Sequence, residues 1–128
     1  MYLISVEGGD GSGKGEAVRI LSEIANEFPF PNIVVTHEPR RHSELGKLAL
    51  QSVKEGKTTP LNEAGLFAAD RLDHSHTWIK PRLQQGTLVI SDRNIHSSLV
   101  YQGYVGKLGI ERVAKMNAAA LIPDLVFW

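Results

Sequence analysis

Apolar positions along this chain switch between two periods. Residues 2–6, Tyr2-Leu3-Ile4-Ser5-Val6, make a nearly continuous apolar run, which predicts a short strand buried on both faces. From Lys14 onward Ala17, Val18, Leu21, Ile24, Ala25 and Phe28 recur at helical spacing, predicting a helix that Pro29 and Pro31 stop. A second strand is expected over residues 33–35, followed by Thr36-His37-Glu38-Pro39, where the proline imposes an extended or turn geometry. The spacing then predicts a helix over 43–55, capped by Ser43, with Leu45, Leu48, Ala49 and Val53 inward. A longer helix opens at Thr59 or Asn62 and runs to about Trp78, and a further turn or two from Pro81 ends at Gly86. Residues 87–91 form a β-branched third strand, with Asp92 and Arg93 at its end. Helices over 97–104 and 109–121 and a fourth strand over 125–128 complete the series. Strands alternating with helices predict an α/β chain, one domain over 1–128, with a parallel sheet flanked by helices on both faces.

Composition adjusts this picture little. The 128 residues carry 14 Lys and Arg against 14 Asp and Glu, so no long-range field draws the chain to a nucleic-acid polymer or an anionic membrane. Any bound anion must be held by local geometry. The absence of cysteine excludes disulfides and thiolate metal sites. Neither a secretory pattern nor an apolar run approaching the ~20 residues of a membrane helix is present, so the expected location is the cytoplasm. The last strand ends on Phe127 and Trp128, an apolar end that reads as a chain truncated at its C-terminus.

Chemistry concentrates between the first strand and the first helix. Gly8-Gly9-Asp10-Gly11-Ser12-Gly13-Lys14 keeps the G-x-x-x-x-G-K spacing of a phosphate loop, whose backbone N–H groups and helix N-terminus face phosphate oxygens while the lysine reaches the outer phosphates. Gly8, Gly11, Ser12, Gly13, Lys14 and Gly15 are the expected nucleotide-phosphate contacts. Gly15 stands where the motif has the hydroxyl that coordinates magnesium, and Glu16 adds negative charge beside the expected phosphates. Asp92, at a strand end, is the expected magnesium-side carboxylate, the competing reading being a cap for the next helix. Arg40, Arg41, Arg71 and Arg93 with Asp10 suggest a second phosphorylated substrate, hence phosphoryl transfer between nucleotides. Phe67 and Arg71, four apart on one helix, can stack on a planar base and reach its edge; the alternative leaves Phe67 in the core.

Five blocks in order carry a family resemblance: VEGGDGSGK (6–14), THEP with Leu45-Gly46 after it, LFAADRLDH (66–74), VISDRNIHSSLVYQG (89–103) and PDLVF (123–127). The chain resembles thymidylate kinase, a phosphate-loop nucleoside monophosphate kinase. The resemblance implies a three-layer α/β/α fold with strand order 2-3-1-4, transfer of phosphate from ATP to dTMP with Mg2+, and a homodimer. It implies Asp10, Lys14, Arg41 and Arg93 as catalytic residues, with Arg40 as second choice for the clamp. It implies Asp10, Arg41, Phe67, Arg71, Arg93, Ser98, Tyr101 and Gln102 around dTMP. Phe67 would stack on thymine, Arg71, Ser98 and Gln102 would meet its polar edge, and Tyr101 would lie under the deoxyribose. The sequence departs from the family pattern at Gly15 and Glu16, at His37 for an arginine and at Asn94 for a tyrosine. The family's ATP lid would lie beyond Trp128. A degenerate nucleotide-binding protein and another phosphate-loop kinase are the alternative readings.

Overall fold

A computed structural model of the chain describes residues 2–128. Strand β1 (Tyr2–Val6) lies at the centre of a parallel sheet, paired with β3 (Leu88–Asp92) from Tyr2↔Leu88 to Val6↔Asp92. Strand β2 (Ile33–His37) pairs with the far side of β3, and β4 (Leu125–Phe127) with the far side of β1. The order among the described residues is therefore β2-β3-β1-β4, as the resemblance implies.

Period-two alternation sends each strand's residues to two cores. Ile4, Val6, Ile33, Leu88 and Ile90 face helix α1 (Lys14–Ala25), packing on Ala17, Val18, Leu21 and Ala25. Leu3, Val34 and Val89 face the opposite layer, against Trp78, Ile79 and Leu83. The sheet is thus covered on both faces, which explains why β1 and β3 read as apolar runs rather than alternations. Tyr2, at the rim, is 55% exposed and departs from that expectation.

Helix α2 (Glu44–Glu55) is capped by Ser43, whose Oγ accepts from the Gly46 N–H at 2.9 Å. Helix α3 (Pro60–His74) is capped in the same way by Thr59. Beyond it the rod continues through a π-helical turn, Ser75–Ile79, into α4 (Lys80–Gln84). The widened turn immediately precedes Pro81, whose ring would crowd the Thr77 carbonyl in a regular helix. Helix α1 ends at Ala25, three residues before the expected stop. Asn26, Glu27 and Phe28 close tighter i→i−3 turns as the chain approaches Pro29. Helix α5 (Ile95–Ser98) also runs into a π-helical segment, Leu99–Val105. Helix α6 (Ile110–Met116) stops well short of residue 121, because the Asn117 side chain is buried and turned to Arg71. Among the described residues no helix is long and apolar enough to cross a membrane.

Candidate functional site

All the parallel strands point their C-terminal ends the same way, so the segments after β1, β2 and β3 gather along one edge. After β1 the chain turns sharply through residues 8–13 into α1. Gly13 has φ 84, a left-handed conformation that glycine adopts without strain. A Cβ on Gly8 would lie 2.6 Å from Ser12 Oγ, so the turn closes only around glycine there. Lys14, first in α1, makes a direct ion pair with Asp92 Oδ1 at the end of β3.

Glu7 anchors the turn from behind. Its carboxylate is buried and accepts from the Asn94 N–H at 2.8 Å and Ser97 Oγ at 2.5 Å. Burial pushes its pKa up, against the lowering effect of those hydrogen bonds.

A cavity of about 350 Å³ opens beside the turn. Asp10, Phe67, Arg71, Arg93, Ser98, Tyr101 and Gln102 all line it, together with Glu38, Pro39, Val53, Glu63 and Ser97. Arg93, which adopts φ 71, donates through Nη2 to Asp10 Oδ1 at 3.0 Å, and its guanidinium carbon lies 5.8 Å from the Tyr101 ring centre. Its buried Nε has no partner among the described residues. Phe67 presents a half-buried ring on α3.

Arg71 is fixed more firmly than its sequence reading implies. Its Nε donates to Glu38 Oε1 at 2.8 Å, and Nη1 donates to Ser98 Oγ at 3.0 Å and Asn117 Oδ1 at 2.8 Å. Nη2 donates to the Asn94 carbonyl at 3.4 Å. Of five guanidinium N–H groups, one Nη2 N–H is left uncommitted among the described residues. Glu38 Oε2 pairs with His74 Nδ1 at 2.8 Å, and His74 Nε2 lies 2.8 Å from Thr36 Oγ1. A buried chain of polar groups thus backs the cavity.

Arg41 does not line that cavity. It is exposed, in a second cleft of about 590 Å³ shared with His37, His42 and Asp92. Arg40, the second choice for a phosphate clamp, is tied to Asp70 and Asp73 at 2.8 Å each. His37 donates Nδ1–H to the Pro39 carbonyl at 2.7 Å, and burial holds its pKa below the usual imidazole value. Gly8, Ser12, Gly13 and Lys14 line a third hollow of about 330 Å³ with Ile20, Phe127 and Trp128. The turn therefore stands between two chambers.

Glu16 departs from its sequence reading. Its carboxylate accepts from Arg19 Nε at 3.0 Å and Nη2 at 2.5 Å on the exposed face of α1, and that contact lowers its pKa. Its charge is thus directed away from the turn. At Gly15 a Cβ would meet nothing within 4 Å. The residues present do not fit the usual magnesium set: the loop hydroxyl is missing, and Lys14 occupies Asp92 Oδ1. Among the described residues no group of three His, Cys, Asp or Glu side chains converges.

Sequence reasoning missed Glu38, Val53, Glu63 and Ser97 as lining residues. The Glu38-Pro39 turn at a strand end was the available signal; Glu63 carries none beyond its place on the face of Phe67.

The family model described as thymidylate kinase matches residues 6–128. A protein from Thermococcus onnurineus, described as a probable thymidylate kinase, is 42% identical over 135 residues, covering 98% of this chain and 64% of its own length. Another so described, from Pyrobaculum aerophilum, is 38% identical, covering 98% of this chain and 62% of its own length. Among solved structures, the thymidylate kinase of Ehrlichia chaffeensis superposes with a TM-score of 0.84 at 32% identity, covering 98% of this chain and 72% of that one. The chain thus spans less than two thirds of these two curated relatives. With the fold, the turn and the sequence blocks all in agreement, the chain belongs to the thymidylate kinase family.

Proposed function

We propose that the chain transfers the γ-phosphoryl group of ATP to dTMP, giving dTDP and ADP. The observation that carries this reading is the placement of the cavity holding Phe67, Arg71 and Gln102 directly beside the phosphate loop, with Asp10 and Arg93 at their junction. A base stacked on Phe67 would meet the remaining Arg71 N–H and the buried Ser98 and Gln102 at its edge. Tyr101 would cover the sugar, and Arg93 would turn from Asp10 to the acceptor phosphate. A dTMP phosphate oxygen then attacks the γ-phosphorus in line, a P–O bond forms, and the bond to the β-phosphate bridging oxygen breaks with ADP leaving. The loop amides, Lys14, Arg41 and Arg93 would do this by position and charge, without a covalent intermediate.

Calorimetry with dTMP and, separately, with ATP tests the reading, followed by a coupled assay of ADP release. Binding of both nucleotides with dTMP-dependent ADP release is the expected result. ATP binding without dTMP binding would remove the base-site assignment. A second reading, a nucleotide-binding protein without turnover, is favoured by Gly15; both nucleotides would then bind and no ADP would appear. A homodimer and a cytoplasmic location belong to the same proposal. Exposed Leu48 and Leu61 on α2 and α3 support the dimer, and sedimentation tests it.

A further inference from the structure

Arg71 lines the base cavity, but part of what sets its position lies outside it. Glu38 is buried at the end of β2, its N–H donated to the Asp92 carbonyl at 3.0 Å. One carboxylate oxygen accepts from Arg71 Nε and the other meets His74 Nδ1, each at 2.8 Å. Arg71 and His74 are three apart on α3, so one helix face presents both to the same carboxylate. His74 is fully buried, with the Trp78 ring centre 5.4 Å from its own. Neither His74 nor Thr36 lines the base cavity; both line the cleft that holds Arg41. As partner of the guanidinium the carboxylate accepts, which places the ring proton on Nδ1. A neutral imidazole then has Nε2 free to accept the Thr36 hydroxyl, 2.8 Å away.

We propose that His74 and Thr36 are positioning residues for base recognition: through Glu38 they hold the Arg71 guanidinium so that its one uncommitted N–H meets a carbonyl on the base edge. The inference rests on the nucleotide reading above. Glu38 itself lines the cavity, so the oxygen that Arg71 Nε does not take is kept from the base only by His74 behind it. Without the imidazole that oxygen is a free acceptor beside the base, attracting an amino group and repelling a carbonyl. A carboxylate released on one side also swings, and the guanidinium paired with it loses its fixed direction. Thr36 acts one step further out, because its hydroxyl holds the ring nitrogen that fixes tautomer and orientation. The choice between a carbonyl and an amino group on the base thus depends on two side chains that never touch the nucleotide.

The test compares dTMP with 5-methyl-2′-deoxycytidine monophosphate on the full chain by calorimetry. The two differ at one base edge, where an amino group and a bare ring nitrogen replace a carbonyl and an N–H. Sugar and phosphate are shared, so a general loss of fold weakens both alike and leaves their ratio unchanged. The native chain should prefer dTMP. His74→Ala should reduce that preference about tenfold, the lower end for a hydrogen bond to a charged group, and Thr36→Val about threefold, as for a neutral one. His74→Asn, whose amide N–H can stand near the Nδ1 position, should keep it. Thr36→Val preserves the shape of the strand end and gives an answer even should His74→Ala misfold. An unchanged ratio in Thr36→Val, or in a folded His74→Ala, overturns the positioning role and leaves the nucleotide reading standing. Equal affinity of the native chain for the two nucleotides overturns it as well. Failure of dTMP to bind the native chain overturns both.

Discussion

Glu38 shows how much a single carboxylate can hold together. It is buried with one oxygen on Arg71 and the other on His74. Removing it leaves a guanidinium uncompensated in the interior, and Glu38→Ala should cost about 3–5 kcal/mol, the range for breaking a buried ion pair. In thermal melts this is a loss on the order of 10 °C. Phe67 belongs to the other side of the same cavity. Phe67→Ala should weaken dTMP binding by about 5- to 150-fold, the equivalent of one aromatic–base stack, with ATP affinity unchanged in the same calorimetric series. Glu7 brings a pH dependence. Its folded pKa is raised above the ordinary 4.5, so the native state binds its proton more tightly than the unfolded chain. That contribution is fully present below the unfolded value and is lost as pH rises through the raised folded value. In urea melts from pH 4 to 8, the native chain should therefore lose stability relative to Glu7→Gln as pH rises above 4.5.

Helices α2 and α3 lock to one another through the same few residues that bring the chain out of β2. Ser43 Oγ accepts from the Gly46 N–H while donating to Asp70 Oδ1 at 2.8 Å. Gly46 is packed so closely that a Cβ would lie 1.8 Å from the Arg40 carbonyl oxygen. Backbone cannot yield there as a flexible side chain would. Gly46→Ala should destabilise by about 1–3 kcal/mol, the usual cost of overpacking, visible as a lower urea midpoint at unchanged slope. The caps at Ser43 and Thr59 and the apolar runs of β1 and β3 were legible in the sequence, because their causes lie within a few residues. The Glu16–Arg19 pair, though at helical i,i+3 spacing, was not read from the sequence, and it reverses the reading of Glu16 as a charge on the loop. The commitment of Arg71 was not legible. Its partners lie 27, 33 and 46 residues away, and only the assembled fold brings them together. Likewise the π-helical segments depend on packing that helical periodicity does not encode. Arg41 and Arg40 are adjacent in sequence and interchangeable by composition; Asp70 and Asp73 on α3 separate them by engaging Arg40.

Across the whole molecule, the proposed nucleotide chemistry depends on a sheet edge assembled from three distant segments. The turn after β1, the Glu38-Pro39 turn and Asp92-Arg93 meet only when β2, β3 and β1 are side by side. The two curated relatives match 98% of this chain, and the match covers 62% and 64% of their own lengths. The strand order has a consequence in time as well as in space. β1 bonds only to β3 and β4, and β2 only to β3 among the described residues, so no strand pair can close before residue 88 has been made. Such distant pairings carry a loop-closure cost that slows folding. In pulse-labelled refolding, amides of residues 2–6 should gain protection after those of α1 and α3, whose hydrogen bonds are local. Residues 2–6 would then be among the last to settle, leaving the turn after β1 without a rigid base until the sheet has closed around that strand.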